Sequence, residues 1–301
     1  MISVVICTYN REKYIYSALE SVAKQDYPYN KYEIVLINNN STDNTEKLCM
    51  KFKENYPQVD FKYFVESEQG LSFARNRGIK ESSGEIIIYL DDDVEIFPDY
   101  LKEYEVFFQN YPDAIGAGGK VIPRFEAEEP KWMTNITRAL LGGAIDFGNI
   151  IKPFKNGSYP AGCNSAYRAS AFETFGNFNT ELGRKGTGLI GSEEKDMYDR
   201  FRAKGLKFYY LPNAVIYHYI PASRFSEEHF RKLSYAIGVG EKIRTKSISK
   251  KKYISRLFLE FCKWDATMIL LLWYTLLLKP YKGWKLVQFR WYLSKGLMAQ
   301  S

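Results

Sequence analysis

The chain has 301 residues, with 42 Lys and Arg against 35 Asp and Glu, for a formal charge of +7. A hydrophobic fraction of 46% with 24 Tyr and 20 Phe supplies enough apolar material for a packed core and excludes a disordered chain. Four cysteines stand singly and only two histidines occur, which excludes a multi-histidine metal site and fits a reduced, cytoplasmic compartment.

Residues 2–7 (ISVVIC) form a short, β-branched apolar run that predicts a strand buried on both faces. With no basic region ahead of an apolar stretch, this start is not read as a secretory signal. Asn10 is the expected N-cap of a helix carrying Ile15, Leu19 and Val22 at helical spacing. Strands are expected at 33–37, 61–65 and 85–90, with one helix through Leu48 and Phe52, capped by Ser41 or Thr42, and another over 71–82. This alternation predicts a mostly parallel sheet wrapped by helices, with ligand sites beyond the carboxyl ends of its strands. The polar clusters TYNR, NNNSTD and DDD each follow a strand and so converge on one rim.

Asp91, Asp92 and Asp93 follow an apolar strand. Unit charges ~4 Å apart repel by about 1 kcal/mol in water and about 4 kcal/mol at an effective dielectric near 20. A hard divalent cation with oxygen ligands would offset that cost; a solvated acidic turn is the alternative.

Five segments in one order carry a resemblance: VVICTYNR (4–11), EIVLINNNSTDNT (33–45), GLSFARNRGIKESSGEIIIYLDDDVEIFPDYL (70–101), GCNSAYR (162–168) and EEKDMYDRFRAKG (193–205), the last leading to YYLPNAVIYH (209–218). This set resembles the family 2 glycosyltransferases of GT-A fold. The resemblance implies an α/β catalytic domain over 1–225, with a nucleotide-binding half at 1–101 and an acceptor half at 102–225; a shift in charge sets off a basic helical extension at 226–301. It implies an inverting enzyme that moves a sugar from a nucleotide-sugar, with a UDP-sugar as the expected donor, to a glycan or lipid-linked hydroxyl. Thr8, Asn10, Arg11, Asn38, Asp43 and Arg75 would line the nucleotide, with Asp91 and Asp92 beside it. Asp93, Asp91 and His218 would hold Mn²⁺ or Mg²⁺. Glu194 would be the general base, with Asn164, Glu193 and Asp196 on the acceptor side.

Two departures stand out. Asn38 replaces the usual Asp, and an amide can both donate and accept where a carboxylate only accepts. Glu193-Glu194 stands where many members have Glu-Asp. Neighbours on a helix point about 100° apart, so only one can face a cleft well. Without the resemblance, both read as surface acids favoured in a helix's first turn.

From Arg231 onward there are 15 Lys and Arg against 3 acids, a local +12 that leaves −5 on the first 230 residues. RTKSISKKK (244–252) is the most linker-like stretch, and a helix is expected over 225–244. Residues 256–278 are strongly apolar, but the uncharged part, Ala266–Leu278, is 13 residues and too short to span a bilayer. With Lys279, Lys282, Lys285, Arg290 and Lys295 among aromatics, residues 250–298 read as an anchor on an anionic membrane surface, peripheral on its cytoplasmic face. A helical hairpin packed on the catalytic domain or on another subunit is the alternative. No nucleic-acid motif accompanies the charge, and no oligomeric state is assigned. A sugar-phosphate nucleotidyltransferase and a non-catalytic binding scaffold are the competing functions.

Overall fold

A computed structural model describes residues 1–155 and 157–300. Its elements in chain order are β1 (Ile2–Thr8), α1 (Ile15–Ala23), β2 (Tyr32–Asn38), α2 (Thr45–Asn55), β3 (Asp60–Val65), α3 (Leu71–Glu81), β4 (Ile86–Asp91), β5 (Val94–Ile96), α4 (Tyr100–Asn110), β6 (Ala114–Phe125), α5 (Asn135–Gly142), β7 (Lys152–Pro153), β8 (Asn164–Arg168), α6 (Ser170–Phe175), α7 (Glu193–Ala203), β9 (Lys207–Ile220), α8 (Glu227–Ile248), α9 (Lys250–Leu276) and α10 (Pro280–Met298).

One sheet runs β3-β2-β1-β4-β8-β6-β9-β5, with β7 on β9. The first four strands are parallel, and β8 joins β4 antiparallel. The apolar runs explain the front half. Val4, Ile6, Ile34, Leu36, Ile88 and Leu90 face one side with residues of α1, α2 and α4. Val5, Val35, Ile37, Ile87 and Tyr89 face the other with Ala74, Phe172, Met197 and Phe201. Alternate residues therefore enter two separate cores, as period-two side chains of a doubly covered strand must. In register, Thr8 pairs with Asn38 and Cys7 with Asp91, so the strand ends form one rim.

The helix starts differ from expectation. Asn10 is not the cap of α1: it adopts the left-handed conformation (φ 54°), and the cap position is Tyr14. The Asn10 side-chain oxygen instead accepts from Thr42 N–H at 2.7 Å. Neither Ser41 nor Thr42 caps α2, which begins at Thr45, whose N–H is met by Asp43 at 3.0 Å.

The chain divides into two compact units: Met1–Arg124 with Gly142–Thr180 and Glu194–Tyr219, and Phe125–Leu141 with Glu181–Glu193 and Ile220–Ser301. Two segments from within the expected 1–225 domain fall in the unit of the C-terminal helices; Ser301 lies outside the described residues. In this second unit, Met133, Leu141, Phe230 and Leu233 form a small core with Trp132 and Phe225 against it. α8 and α10 cross closely through glycines: a methyl at Gly238 would lie 2.0 Å from the Leu293 carbonyl, and one at Gly296 would lie 2.0 Å from that of Tyr235. The 244–252 stretch is helical except for a break at Ser249, whose hydroxyl caps α9 by accepting from Lys252 N–H.

The basic extension also keeps part of its charge inside. Lys285 is buried, 2.6 Å from Glu227 and over the rings of Trp132 and Phe230. Arg256 and Arg290 converge on Glu260, and Arg244 and Arg256 on Glu241. Lys285 and Arg290 are thus packing groups, not part of an outward basic face. Among the described residues no helix is long and apolar enough to cross a membrane.

At the opposite end of the parallel strands from the rim, buried Glu33 accepts from Ser3, from the Ser83 N–H and hydroxyl, and from Lys62. Burial raises its carboxyl, but these donors outweigh it and hold the group below the usual carboxylate range. A lowered folded-state pKa contributes stability above the unfolded value, which is lost as pH falls. Glu33→Gln should therefore cost about 2–3 kcal/mol near neutral pH. That difference should shrink as denaturant midpoints are measured at pH values descending below about 4.5.

Candidate active site

Carboxylates and cations crowd the rim where β1, β2 and β4 end. Asp91 is the last residue of β4, and Asp93 precedes β5, which pairs with β9 and sets Val94 opposite His218. Asp91, Asp93 and His218 offer ligand atoms that all lie within 4.8 Å of one another. His218 Nδ1 lies 2.9 Å from the Gly142 carbonyl, which can only accept, so this nitrogen carries the donated proton. Nε2 is buried, makes no hydrogen bond, and lies 3.1 Å from an Asp93 oxygen. In the neutral ring this turns a lone pair toward a carboxylate, a repulsive pairing that a shared cation converts into ligation. Two carboxylates and one imidazole suit Mn²⁺ or Mg²⁺, so the residues fit the ion that the resemblance implies.

Two arginines hold the aspartates in place. Arg11 lies 3.1 Å from Asp92 and 3.5 Å from Asp93. Its expected place was beside a base, and here it serves the acidic cluster. Burial pushes the Asp92 carboxyl up to about 7; Arg11 pulls it down, and Asp93 adds to the rise. The Asp92 carboxylate in turn pushes the Arg11 guanidinium further up than burial pulls it down. Arg75, 3% exposed, reaches Glu194 at 2.9 Å and Asp91 at 3.9 Å, with Tyr89 and Phe178 against its plane. Desolvation by those rings strengthens its hold on both acids.

Of the adjacent glutamates, Glu193 is buried while the Glu194 side chain is 21% exposed. Glu194 is therefore the one open to a reactant. Gly162 makes its position possible: a methyl there would lie 1.9 Å from Glu194 Oε1 and 2.6 Å from Arg75 Nη2. Asp196 is buried and pairs with Arg200 at 3.0 Å, and Arg200 also donates to the Phe175 and Asn177 carbonyls.

The nucleotide-side candidates form a stapled pair of loops. Asn10 N–H donates to Ser41, Arg11 N–H to Thr45 and Glu12 N–H to Asp43. Burial raises the Asp43 carboxyl, but donors from Thr45 and the Glu12 and Thr45 N–H groups outweigh it and lower it. Thr8 is buried beside Asp92. Asn38 is buried; its oxygen accepts from Ser41 N–H at 2.9 Å and its amide donates to the Tyr63 hydroxyl at 2.8 Å. The Ser41 N–H fixes which way this amide points, since only an oxygen can accept there.

Asn164 departs most from expectation. It is fully buried, and its oxygen accepts from the Tyr100 and Tyr104 hydroxyls while its amide donates to the Lys120 and Ala214 carbonyls. Its hydrogen-bonding capacity is spent inside the fold, so it is a structural residue and not an acceptor contact. Asn164→Ala should cost about 3–5 kcal/mol by stranding four buried partners. Equilibrium denaturation measures this, and Asn164→Asp should not restore the loss, because a carboxylate cannot donate to the two carbonyls.

Comparison with known proteins places the chain in a family. The glycosyl transferase family 2 description matches residues 3–176. A Haloferax volcanii glucosyl-dolichyl phosphate glucuronosyltransferase is 26% identical over 223 residues, covering 72% of this chain and 68% of the relative. The Staphylococcus aureus poly(ribitol-phosphate) β-N-acetylglucosaminyltransferase TarS is 31% identical over 128 residues, 40% of this chain and 22% of that relative. A TarS 1–349 structure with UDP-GlcNAc superposes with a TM-score of 0.59 at 19% identity, covering 99% of this chain and 92% of that one. The Pyrobaculum calidifontis mannosyltransferase PcManGT, solved with GDP-Man and Mn²⁺, gives a TM-score of 0.68 at 18% identity over 100% of this chain and 88% of that one. The chain belongs to glycosyltransferase family 2 and is a glycosyltransferase of GT-A fold.

Proposed function

We propose that the chain transfers a sugar from a nucleotide-sugar to a hydroxyl of a glycan or lipid-linked acceptor, with inversion and with a bound divalent cation, at the cytoplasmic face of a membrane. The observation that carries this reading is Arg75, which spans from Asp91 of the acidic cluster to Glu194. One side chain thereby fixes the distance between the group serving the leaving diphosphate and the group serving the incoming hydroxyl. The neighbours solved with UDP-GlcNAc or with GDP-Man and Mn²⁺ support a nucleotide-sugar donor, and the relative named for glucosyl-dolichyl phosphate supports a lipid-linked acceptor.

Asp91, Asp93 and His218 would hold the cation, which when bound stabilises the charge that develops on a diphosphate leaving group. Glu194 takes the acceptor's proton as its oxygen bonds to the anomeric carbon and the bond from that carbon to the diphosphate breaks. Arg75 holds Glu194 in position. Arg11 holds Asp92 and Asp93 in place before any ligand arrives. On the base side, Asn38 offers an amide where the family usually has a carboxylate, so uridine binding is retained while the identity of the base is left to a panel of donors.

Nucleotide release from a panel of nucleotide-sugars, with Mn²⁺ or Mg²⁺ and with chelator, tests the reading. Cation-dependent release or binding is expected for at least one donor, and none for any donor would overturn it. Asp93→Ala should abolish cation-dependent nucleotide binding. Glu194→Gln should leave donor binding intact and lower transfer by about 10²-fold or more; transfer at the native rate would reassign the base. Gly162→Ala should displace Glu194 and lower turnover by about 10²-fold, with a smaller change in donor affinity.

A further inference from the structure

The outer face of α9 is apolar and uncovered. Ile254, Phe258, Phe261, Ile269, Leu272 and Leu276 recur at helical spacing and are 55–78% exposed. Opposite them, Arg256, Glu260 and Thr267 are buried against the helical core. A line of large apolar side chains left this exposed marks an interaction surface more often than a bare solvent face. Asp265 interrupts the line halfway, so this face suits headgroup depth and not the interior of a bilayer.

The tip of the α9–α10 hairpin is a second, independent observation. α9 closes in a Schellman motif, with Leu278 N–H donating to the Thr275 carbonyl and Lys279 N–H to that of Tyr274. The left-handed position in this motif is usually glycine. Here it is Leu278, at φ 55° and 87% exposed. The strained position thus carries a leucine whose side chain is left almost wholly in solvent. Trp273, Leu277, Tyr281 and Trp284 are exposed around it, and Lys279 is exposed beside it.

We infer that this tip and the outer face of α9 seat on an anionic lipid bilayer, with the leucines and tryptophans at the headgroup–acyl boundary and Lys279 and Lys282 on lipid phosphates. Charge chooses this occupant over a second copy of the chain. Pairing two such faces would bring together the exposed cations of each copy, Lys250, Lys251, Lys252, Lys279 and Lys295, whereas an anionic surface complements them. The inference rests on the chain's own surface, so a failed nucleotide-release experiment would leave it standing.

Sedimentation of the full chain with vesicles of phosphatidylcholine, alone or mixed with phosphatidylglycerol, tests it. Binding to the mixed vesicles should exceed binding to phosphatidylcholine and weaken with salt. Leu278→Gly should lower binding by about tenfold while its thermal midpoint holds or rises, because the strained position is relieved. Lys279→Glu with Lys282→Glu should weaken binding to the anionic vesicles alone. The proposal fails if the native chain stays in the supernatant with anionic vesicles, or if Leu278→Gly sediments as well as the native chain. A concentration-dependent dimer broken by Leu276→Glu would assign the face to a second copy and also overturn it.

Discussion

Three adjacent aspartates at the end of a buried strand are the constraint around which the catalytic unit is arranged. Left alone they would repel each other by several kcal/mol in a partly dehydrated site. Arg11 and Arg75 answer that repulsion from two directions, one out of the loop after β1 and one out of α3. Each then imposes its own demand. Arg11 sits in a loop that has to be tied to the loop after β2, and the hydrogen bonds among Asn10, Ser41, Asp43 and Thr45 do this. Arg75 is buried and needs aromatic walls and a second carboxylate, which Tyr89, Phe178 and Glu194 supply. The acidic cluster and Glu194 are therefore parts of one electrostatic unit.

The strands of the parallel half were legible because their signal is local. A run such as ISVVIC or EIIIYL can only be buried on both faces, and each lies where expected to within a residue or two. The rim was legible for the same reason, since each polar cluster directly follows a strand. The cap of α1 was not, because Asn10 is fixed by partners some 32 positions away that also free it to take a left-handed turn. Asn164 shows a deeper limit. A saturated structural amide and a ligand-binding amide are the same letter, and only Tyr100, Tyr104 and the two carbonyls tell them apart. The Arg75–Glu194 pair, 119 positions apart by their numbers, had one faint signal: a glycine at 162 in a segment otherwise rich in side chains.

The helical unit shows how composition misleads when partners are distant. A count of +12 suggests a uniformly basic surface, yet Lys285 and Arg290 are consumed by Glu227 and Glu260. Buried ion pairs contribute little net stability, but removing one member is costly. They fix the register in which α8, α9 and α10 pack. The glycines at 238 and 296 set the distance of that packing, leaving the outer side of α9 to be decided by something other than the fold.

The four cysteines divide along the same lines. Burial pushes the Cys7 and Cys49 thiols up to about 12 and Cys163 well above its ordinary value. All three remain protonated and poorly nucleophilic at neutral pH. Cys262 is exposed on α9, one helical turn from Phe258. Thiol-directed chemistry on the folded native chain therefore favours Cys262, and a polarity-sensitive fluorophore attached there would report the surroundings of that helix.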